Sequence, residues 1–228
     1  MSSDAASDAF PSADALSDSV LQKLAALPGV ENIVLGGYFA LRRFVDYRTT
    51  HDIDAWWRAR SDPAAEASIR LAMLEIAAAN ALSLSERRFG ETASFELHRG
   101  HIKVFSFQIS VRSIELETPG PSRWPPILIE TLADNVASKM NALVNRGSPR
   151  DFLDIYYLVR KPVLSMSECW KLWSQKNPGA QLESGKQKAM LHLMSLEQRR
   201  PLDRITDPAE RERAAALRAF FREAFVAS

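Results

Sequence analysis

The stretch "RTTHDIDAWW", Arg48 to Trp57, carries two aspartates one residue apart in a segment that ends in bulky apolar residues and reads as a strand. Successive strand side chains alternate between faces, so Asp52 and Asp54 point the same way while Ile53 enters the opposite layer. Two adjacent carboxylates repel, which raises one pKa and costs stability unless a cation compensates them. A divalent ion held by both turns the repulsion into coordination. Mg²⁺ (or Mn²⁺) suits this best, since it is bound by one or two carboxylates plus the phosphates of a substrate. The bland alternative, two ordinary aspartates on a solvent-facing edge strand, explains the pair equally well by itself.

Upstream, Gly36-Gly37 separates the apolar run "NIVL" from "YFALRRFV", a segment of helical character. Two missing side chains between a strand and a helix let backbone N–H groups approach a phosphate closely, although a simple tight turn also accounts for them. The order is strand, Gly-Gly, short helix, Arg48-Thr49-Thr50 and then Asp-Ile-Asp. A phosphate pocket followed by a metal pair is the layout of a nucleotidyltransferase palm.

A second group of polar residues sits on predicted helices. Ile129, Leu132, Ala133, Val136, Ala137, Met140, Leu143 and Val144 share one helical arc, and Lys139 lies on its shoulder. Such a lysine can bury its stem and present its ammonium at the rim of a cleft, to a triphosphate or merely to water. Asp151 falls within the apolar arc of Phe152, Ile155, Leu158 and Val159, where an uncompensated carboxylate is expensive. "SPRD" offers one partner, because Ser148 at an N-cap, Pro149 at the first helical position and Asp151 three after the cap form a variant of the capping box. The functional reading points Asp151 or Asp154 at an active-site face, with Arg150 and Arg146 near a phosphate or an RNA backbone. The two readings are compatible.

"VLGGYFALRRFVDYRTTHDIDAWW" resembles motif I of the polymerase-β-like nucleotidyltransferases, in the form carried by the AbiEii/AbiGii abortive-infection toxins. "LADNVASKMNALVNRGSPRDFLDIYYLV" is similar to that family's lysine helix, arginine-rich turn and RDxxD helix. The resemblance implies catalytic Asp52, Asp54, Lys139 and Asp151, with Asp52 and Asp54 on metal. It further implies nucleotide or phosphate contacts from Gly36, Gly37, Arg48, Thr49, Lys103, Lys139, Arg150 and Asp154. It also implies an NTP substrate, a tRNA or other RNA acceptor, and a cognate antitoxin.

One departure stands out. Two-metal nucleotidyl transfer usually draws a third carboxylate from a neighbouring strand. The family carries it in a "KxD"-like strand, which reads "HIKVFSF" here, with Lys103 matching and Phe105 at the expected acid. Glu96, Glu115 or Glu117 are candidate replacements. The departure supports a rival reading, a degenerate nucleotide-binding or interaction protein without catalysis. A transferase acting on a small molecule such as an antibiotic is a third.

These side chains need a sheet and helices to position them. "DALSDSVLQKLAALPG" and "DPAAEASIRLAMLEIAAANAL" predict amphipathic helices, the second opened by Asp62-Pro63. "ASFELH" and "IKVFSFQISV" predict adjacent strands around Arg99-Gly100. The proline-rich "ETPGPSRWPP" cannot be helix or central strand and separates a mixed half from a helical one. Helices are expected at about 128 to 145, 150 to 160, 165 to 176, 184 to 198 and 208 to 226. The expected fold is α+β: a tail over residues 1 to 15, a mixed-sheet palm over 16 to 126 and a helical region over 127 to 228, with the cleft between the last two.

With 228 residues, 46% of them hydrophobic and 25% charged, the chain has the usual globular mixture. A formal net charge of +1 gives no overall field for nucleic acid, so any such contact must be local. The single cysteine, Cys169, excludes an internal disulfide and fits a reducing compartment, and it reads as a packed side chain rather than a nucleophile. No apolar run has the length of a membrane span, and "MSSDAASDAF" is acidic where a secretion signal is basic and then apolar, so a cytoplasmic location is expected.

Overall fold

Asp62 caps the longest helix of the amino-terminal half as its sequence predicts. Its carboxylate accepts from the N–H groups of Ala64 and Ala65 at 3.0 and 3.1 Å, with Pro63 at the first helical position. The computed structural model describes residues 15–112, 114–161 and 163–227. The tail expected over residues 1 to 15 therefore lies, apart from Ala15, outside the described residues.

The chain divides into two units, Met1–Thr131 and Leu132–Ser228. In the first, α1 (Ala15–Ala25) leads to β1 (Ile33–Gly36), α2 (Gly37–Leu41), β2 (Asp52–Trp57) and α3 (Pro63–Ala79). Strands β3 (Ser83–Phe89), β4 (Thr92–Arg99), β5 (Ile102–Val111), β6 (Gly120–Pro121) and β7 (Leu128–Ile129) follow. The sheet order is β3-β4-β5-β2-β1-β7-β6. β2 therefore lies centrally, antiparallel to β1 and parallel to β5.

One face of the sheet is apolar: Ile53, Ala55 and Trp57 of β2, Phe95 and Leu97 of β4, and Phe105, Phe107 and Ile109 of β5 are all buried. Against it pack Val20, Leu21 and Leu24 of α1 and Ile69, Met73 and Ile76 of α3, residues three or four apart on their helices. The three large β5 side chains alternate with Ser106 and Gln108, so the polar residues emerge on the opposite face. That opposite face carries Asp52 and Asp54.

Two elements depart from the sequence reading. Ser83–Phe89 forms a strand paired along its whole length with β4, although "SLSERRF" has no apolar alternation to reveal it. Leu128–Ile129, expected to begin the lysine helix, pairs in parallel with Val34 and Leu35 of β1. The first unit runs to Thr131.

The second unit contains α4 (Leu132–Asn145), α5 (Pro149–Arg160), α6 (Met166–Lys176), α7 (Leu182–Arg199) and α8 (Pro208–Ala227). α5 opens with the capping box read from "SPRD", and "SMSE" builds a second one at α6. Among the described residues, no helix is long and apolar enough to cross a membrane.

Candidate active site

Strand register assembles the carboxylate face. Gly36 stands opposite Asp54 across the β1–β2 pair, while Ser106 and Gln108 of β5 stand beside Asp52 and Asp54. The aspartates share a face, as their spacing requires, and Ile53 between them is 1% exposed in the core. Both aspartates are partly exposed.

The glycine pair is fixed by crowding on both sides. A Cβ at Gly36 would meet the Trp56 indole nitrogen and come within 2.6 Å of Glu130 Oε2. Gly37 has φ +60°, a left-handed conformation that disfavours a side chain, and a Cβ there would overlap the Asp54 carboxylate. The turn and Asp54 are thus in direct contact.

Asp52 is already engaged. Ser106 Oγ donates to Asp52 Oδ1 at 2.6 Å, and Lys103 Nζ donates to the same oxygen at 2.9 Å. Lys103, read from sequence as a phosphate contact, places its ammonium on the Asp52 carboxylate.

Phe105 requires a correction. Its ring is 0% exposed in the core, on the face opposite Asp52 and Asp54, so an acid at 105 would not reach them. The positions that do lie beside the aspartates are Ser106 and Gln108, both uncharged. Of the three candidate replacements, Glu96 shares the polar face, in register with Ser106 but one strand further out, and contacts His98 Nε2 at 3.3 Å. Glu115 forms an ion pair with Arg58 at 2.9 Å.

Tyr38 and the Arg112–Glu130 pair were not singled out by sequence reasoning. The Tyr38 hydroxyl accepts from the backbone N–H of Tyr47 and of Arg48, each at 2.9 Å, and so ties down the loop that precedes β2. The Arg48 guanidinium lies 3.7 Å from the Tyr38 ring centroid, a cation–π contact that orients it near the glycine turn. Burial pushes the Tyr38 phenol above its ordinary pKa, partly offset by the two backbone donors, so the ring stays neutral at physiological pH. Thr49 follows on the same loop, and Thr50 Oγ1 accepts from the Asp52 N–H at 3.1 Å. Glu130, fully buried behind Gly36, is neutralised by Arg112 at 2.8 Å. Only tertiary pairing of β7 with β1 brings Glu130 there, so no local pattern announces it.

In the helical unit, Lys139 Nζ lies 2.7 Å from Asp154 Oδ2, with side-chain exposures of 11% and 1%. A second buried pair, Lys176 with Asp134 at 2.9 Å, links α6 to α4. Asp151 is turned to a structural task. It accepts from Arg146 Nε and Nη2 at 2.9 and 2.8 Å and from Ser148 N and Oγ at 2.9 and 2.7 Å. Burial alone would raise its pKa, but the Arg146 and Ser148 contacts outweigh burial and hold it below the usual carboxylate value. The capping reading therefore describes Asp151, whose carboxylate carries four donors. Arg150 is exposed at the start of α5. Cys169 is buried, which pushes its thiol up to about 12 and leaves it un-ionised, a packed side chain rather than a nucleophile.

Asp52 and Asp54 fit a divalent cation of the hard, oxygen-seeking kind: two carboxylates on one face of the sheet, both partly exposed. Among the described residues, no group of three or more His, Cys, Asp or Glu side chains gathers to hold a metal ion.

The fold has a counterpart among solved structures. A crystal structure of an H. pylori protein assigned as a nucleotidyltransferase aligns with a TM-score of 0.50 at 14% identity, covering 92% of each chain. A family model described as "Nucleotidyl transferase AbiEii toxin, Type IV TA system" matches residues 19–227. The chain belongs to this family of nucleotidyltransferase toxins. Comparison with curated proteins found no match.

Proposed function

We propose that the chain transfers a nucleoside monophosphate from an NTP to a hydroxyl of an RNA, a tRNA 3′ end being the favoured acceptor. Its setting is the cytoplasm, as the toxin of a type IV-like pair restrained by a cognate antitoxin. The observation that supports this reading is the contact between Asp54 and the Gly37 turn, the turn taken here to receive phosphate. Mg²⁺ or Mn²⁺ held by Asp52 and Asp54 would supply the positive charge that neutralises the phosphates.

The chain's own residues supply binding and orientation. Backbone N–H groups at Gly36 and Gly37 meet phosphate oxygens, and Arg48, held by Tyr38, adds a fixed positive charge. The acceptor oxygen forms a bond to the α-phosphorus, the bond to pyrophosphate breaks, and the hydroxyl proton is released at the partly exposed carboxylate face. Catalysis of this kind consists mainly of positioning and electrostatics.

The test uses each of the four NTPs, labelled at the α-phosphate, with Mg²⁺ and either intact tRNA or tRNA whose 3′ diol has been oxidised with periodate. Labelling of intact tRNA alone supports the proposal. Equal labelling of both excludes the 3′ end, and labelling of a small-molecule aminoglycoside in place of RNA favours the antibiotic-type transferase.

A binding protein without catalysis is the second reading. It is favoured by the neutral Gln108 beside Asp54, where a third acid would have to stand. Tight NTP binding with no transfer to any acceptor would establish it.

A further inference from the structure

We propose that the buried Arg112–Glu130 ion pair sets how tightly the Gly36–Gly37 turn holds a nucleotide, acting as a pair of positioning residues that do not touch the ligand. Glu130 opposes an anion at the turn, and Arg112 cancels that opposition. The inference rests on the nucleotidyltransferase reading above and deepens it by assigning two residues that tune substrate affinity.

Leu35, Ala55 and Ile129 enter the core from β1, β2 and β7. Their chain neighbours Gly36, Asp54 and Glu130 therefore emerge together on the opposite face of the sheet. The backbone N–H of Glu130 donates to the Leu35 carbonyl at 2.9 Å, which anchors Glu130 beside the start of the turn. Its Oε2 lies so near Gly36 that a Cβ there would stand 2.6 Å from it. Arg112 follows the end of β5, where its N–H donates to the Trp57 carbonyl at 3.2 Å. The strand order is β5-β2-β1-β7, so the 2.8 Å contact of Arg112 Nη2 with Glu130 Oε1 reaches across β2 and β1.

The two side chains are 3% and 0% exposed. Burying two charges is costly, and an apolar pair of similar volume often stabilises a fold as well or better, so stability alone is a weak reason for this pair. A charge held here acts strongly on its neighbours, because burial leaves little water or salt to screen it. Each single substitution changes the charge beside the turn by one unit, whatever further contacts the two side chains make. The two changes have opposite sign. An NTP with its Mg²⁺ remains an anion, so it responds to each in the opposite direction.

The experiment compares R112M, E130Q and R112M/E130Q with wild type on the full chain. Binding of fluorescent α,β-methylene analogues of the four NTPs is measured with Mg²⁺ by anisotropy, while circular dichroism and urea unfolding report fold and stability. Both single variants should be less stable than wild type, as breaking a buried pair requires. R112M is nevertheless expected to weaken binding and E130Q to strengthen it, each by about tenfold, the scale of one poorly screened charge acting across several ångströms. The double variant, which restores the balance of charge, is expected to return close to wild type. In transfer assays KM should follow these shifts while kcat changes less.

A purely structural pair would weaken binding in both single variants. Shifts of the same sign, or no shift in either, would therefore overturn the inference while leaving the nucleotidyltransferase reading intact. Should R112M fail to fold, E130Q against the double variant carries the same comparison, since the two differ only at Arg112. E130Q binding no tighter than the double variant would overturn the inference. Failure of wild type to bind any analogue would overturn the underlying reading together with it.

Discussion

Gly37 and Asp54 are in contact so close that a Cβ on the glycine would overlap the carboxylate. The turn proposed to receive phosphate and the side chain proposed to hold metal therefore move as one. In G37A the positive φ costs about 1 to 2 kcal/mol and Asp54 must shift. Nucleotide transfer should fall about a hundredfold or more, as displacement by an ångström can cause. Melting curves beside transfer rates test this. An unaltered rate in a folded G37A would detach the turn from the chemistry.

Tyr38 acts through Arg48. Y38F removes the oxygen that receives two backbone N–H groups, costing about 1 to 3 kcal/mol, while the ring that carries the guanidinium remains. The amides of Tyr47 and Arg48 should exchange with deuterium faster, and KM for the NTP should rise more than kcat falls. Unchanged exchange at both amides would contradict the positioning role.

Lys139 and Asp154 stabilise the helical unit as well as any ligand. K139M strands a buried carboxylate and should destabilise by about 3 to 5 kcal/mol, whereas K139M/D154N, which removes both charges, should recover much of that loss. Denaturant unfolding of the two singles and the double provides the cycle. Strict additivity would show that the pair is not coupled. A folded double variant also offers the clean background in which to ask whether Lys139 contributes to nucleotide affinity.

Asp151 gives the helical unit an acid-sensitive joint. Its folded pKa lies below its unfolded value because Arg146 and Ser148 outweigh the burial that would raise it. The unfolded chain then binds more protons in acid, so this stability is fully present above the ordinary carboxylate value, near pH 3.8. It is lost as pH falls through the lower folded value. D151N should cost about 1 to 2 kcal/mol at neutral pH and reduce the difference between urea midpoints at pH 7 and pH 3. An undiminished difference in D151N would assign the acid sensitivity elsewhere.

Local chemistry was legible in the sequence where it depends on near neighbours. Asp62-Pro63 and "SPRD" are read correctly because a cap involves residues within one helical turn. The shared face of Asp52 and Asp54 follows from strand alternation alone. Pairing was not legible. "HIKVFSF" matched a motif by its lysine, yet the register places Ser106 and Gln108, not Phe105, beside the aspartates. Strand β3 escaped notice because it is largely exposed and its charges are spent on contacts such as Arg70 with Glu86. Glu130 reaches Gly36 only through the parallel pairing of β7 with β1, and no spacing rule predicts a contact across almost a hundred residues.

The central claim is that Asp54, set against the glycine turn, belongs to a site that transfers nucleotide. Its most direct measurement is the incorporation of α-labelled NTP into total tRNA, with Mg²⁺, by wild type and by a folded D54A. The account predicts labelling by wild type and its loss, by about a thousandfold or more, in D54A, as removal of a charge-stabilising group requires. Labelling that survives in D54A would contradict the assignment of the site.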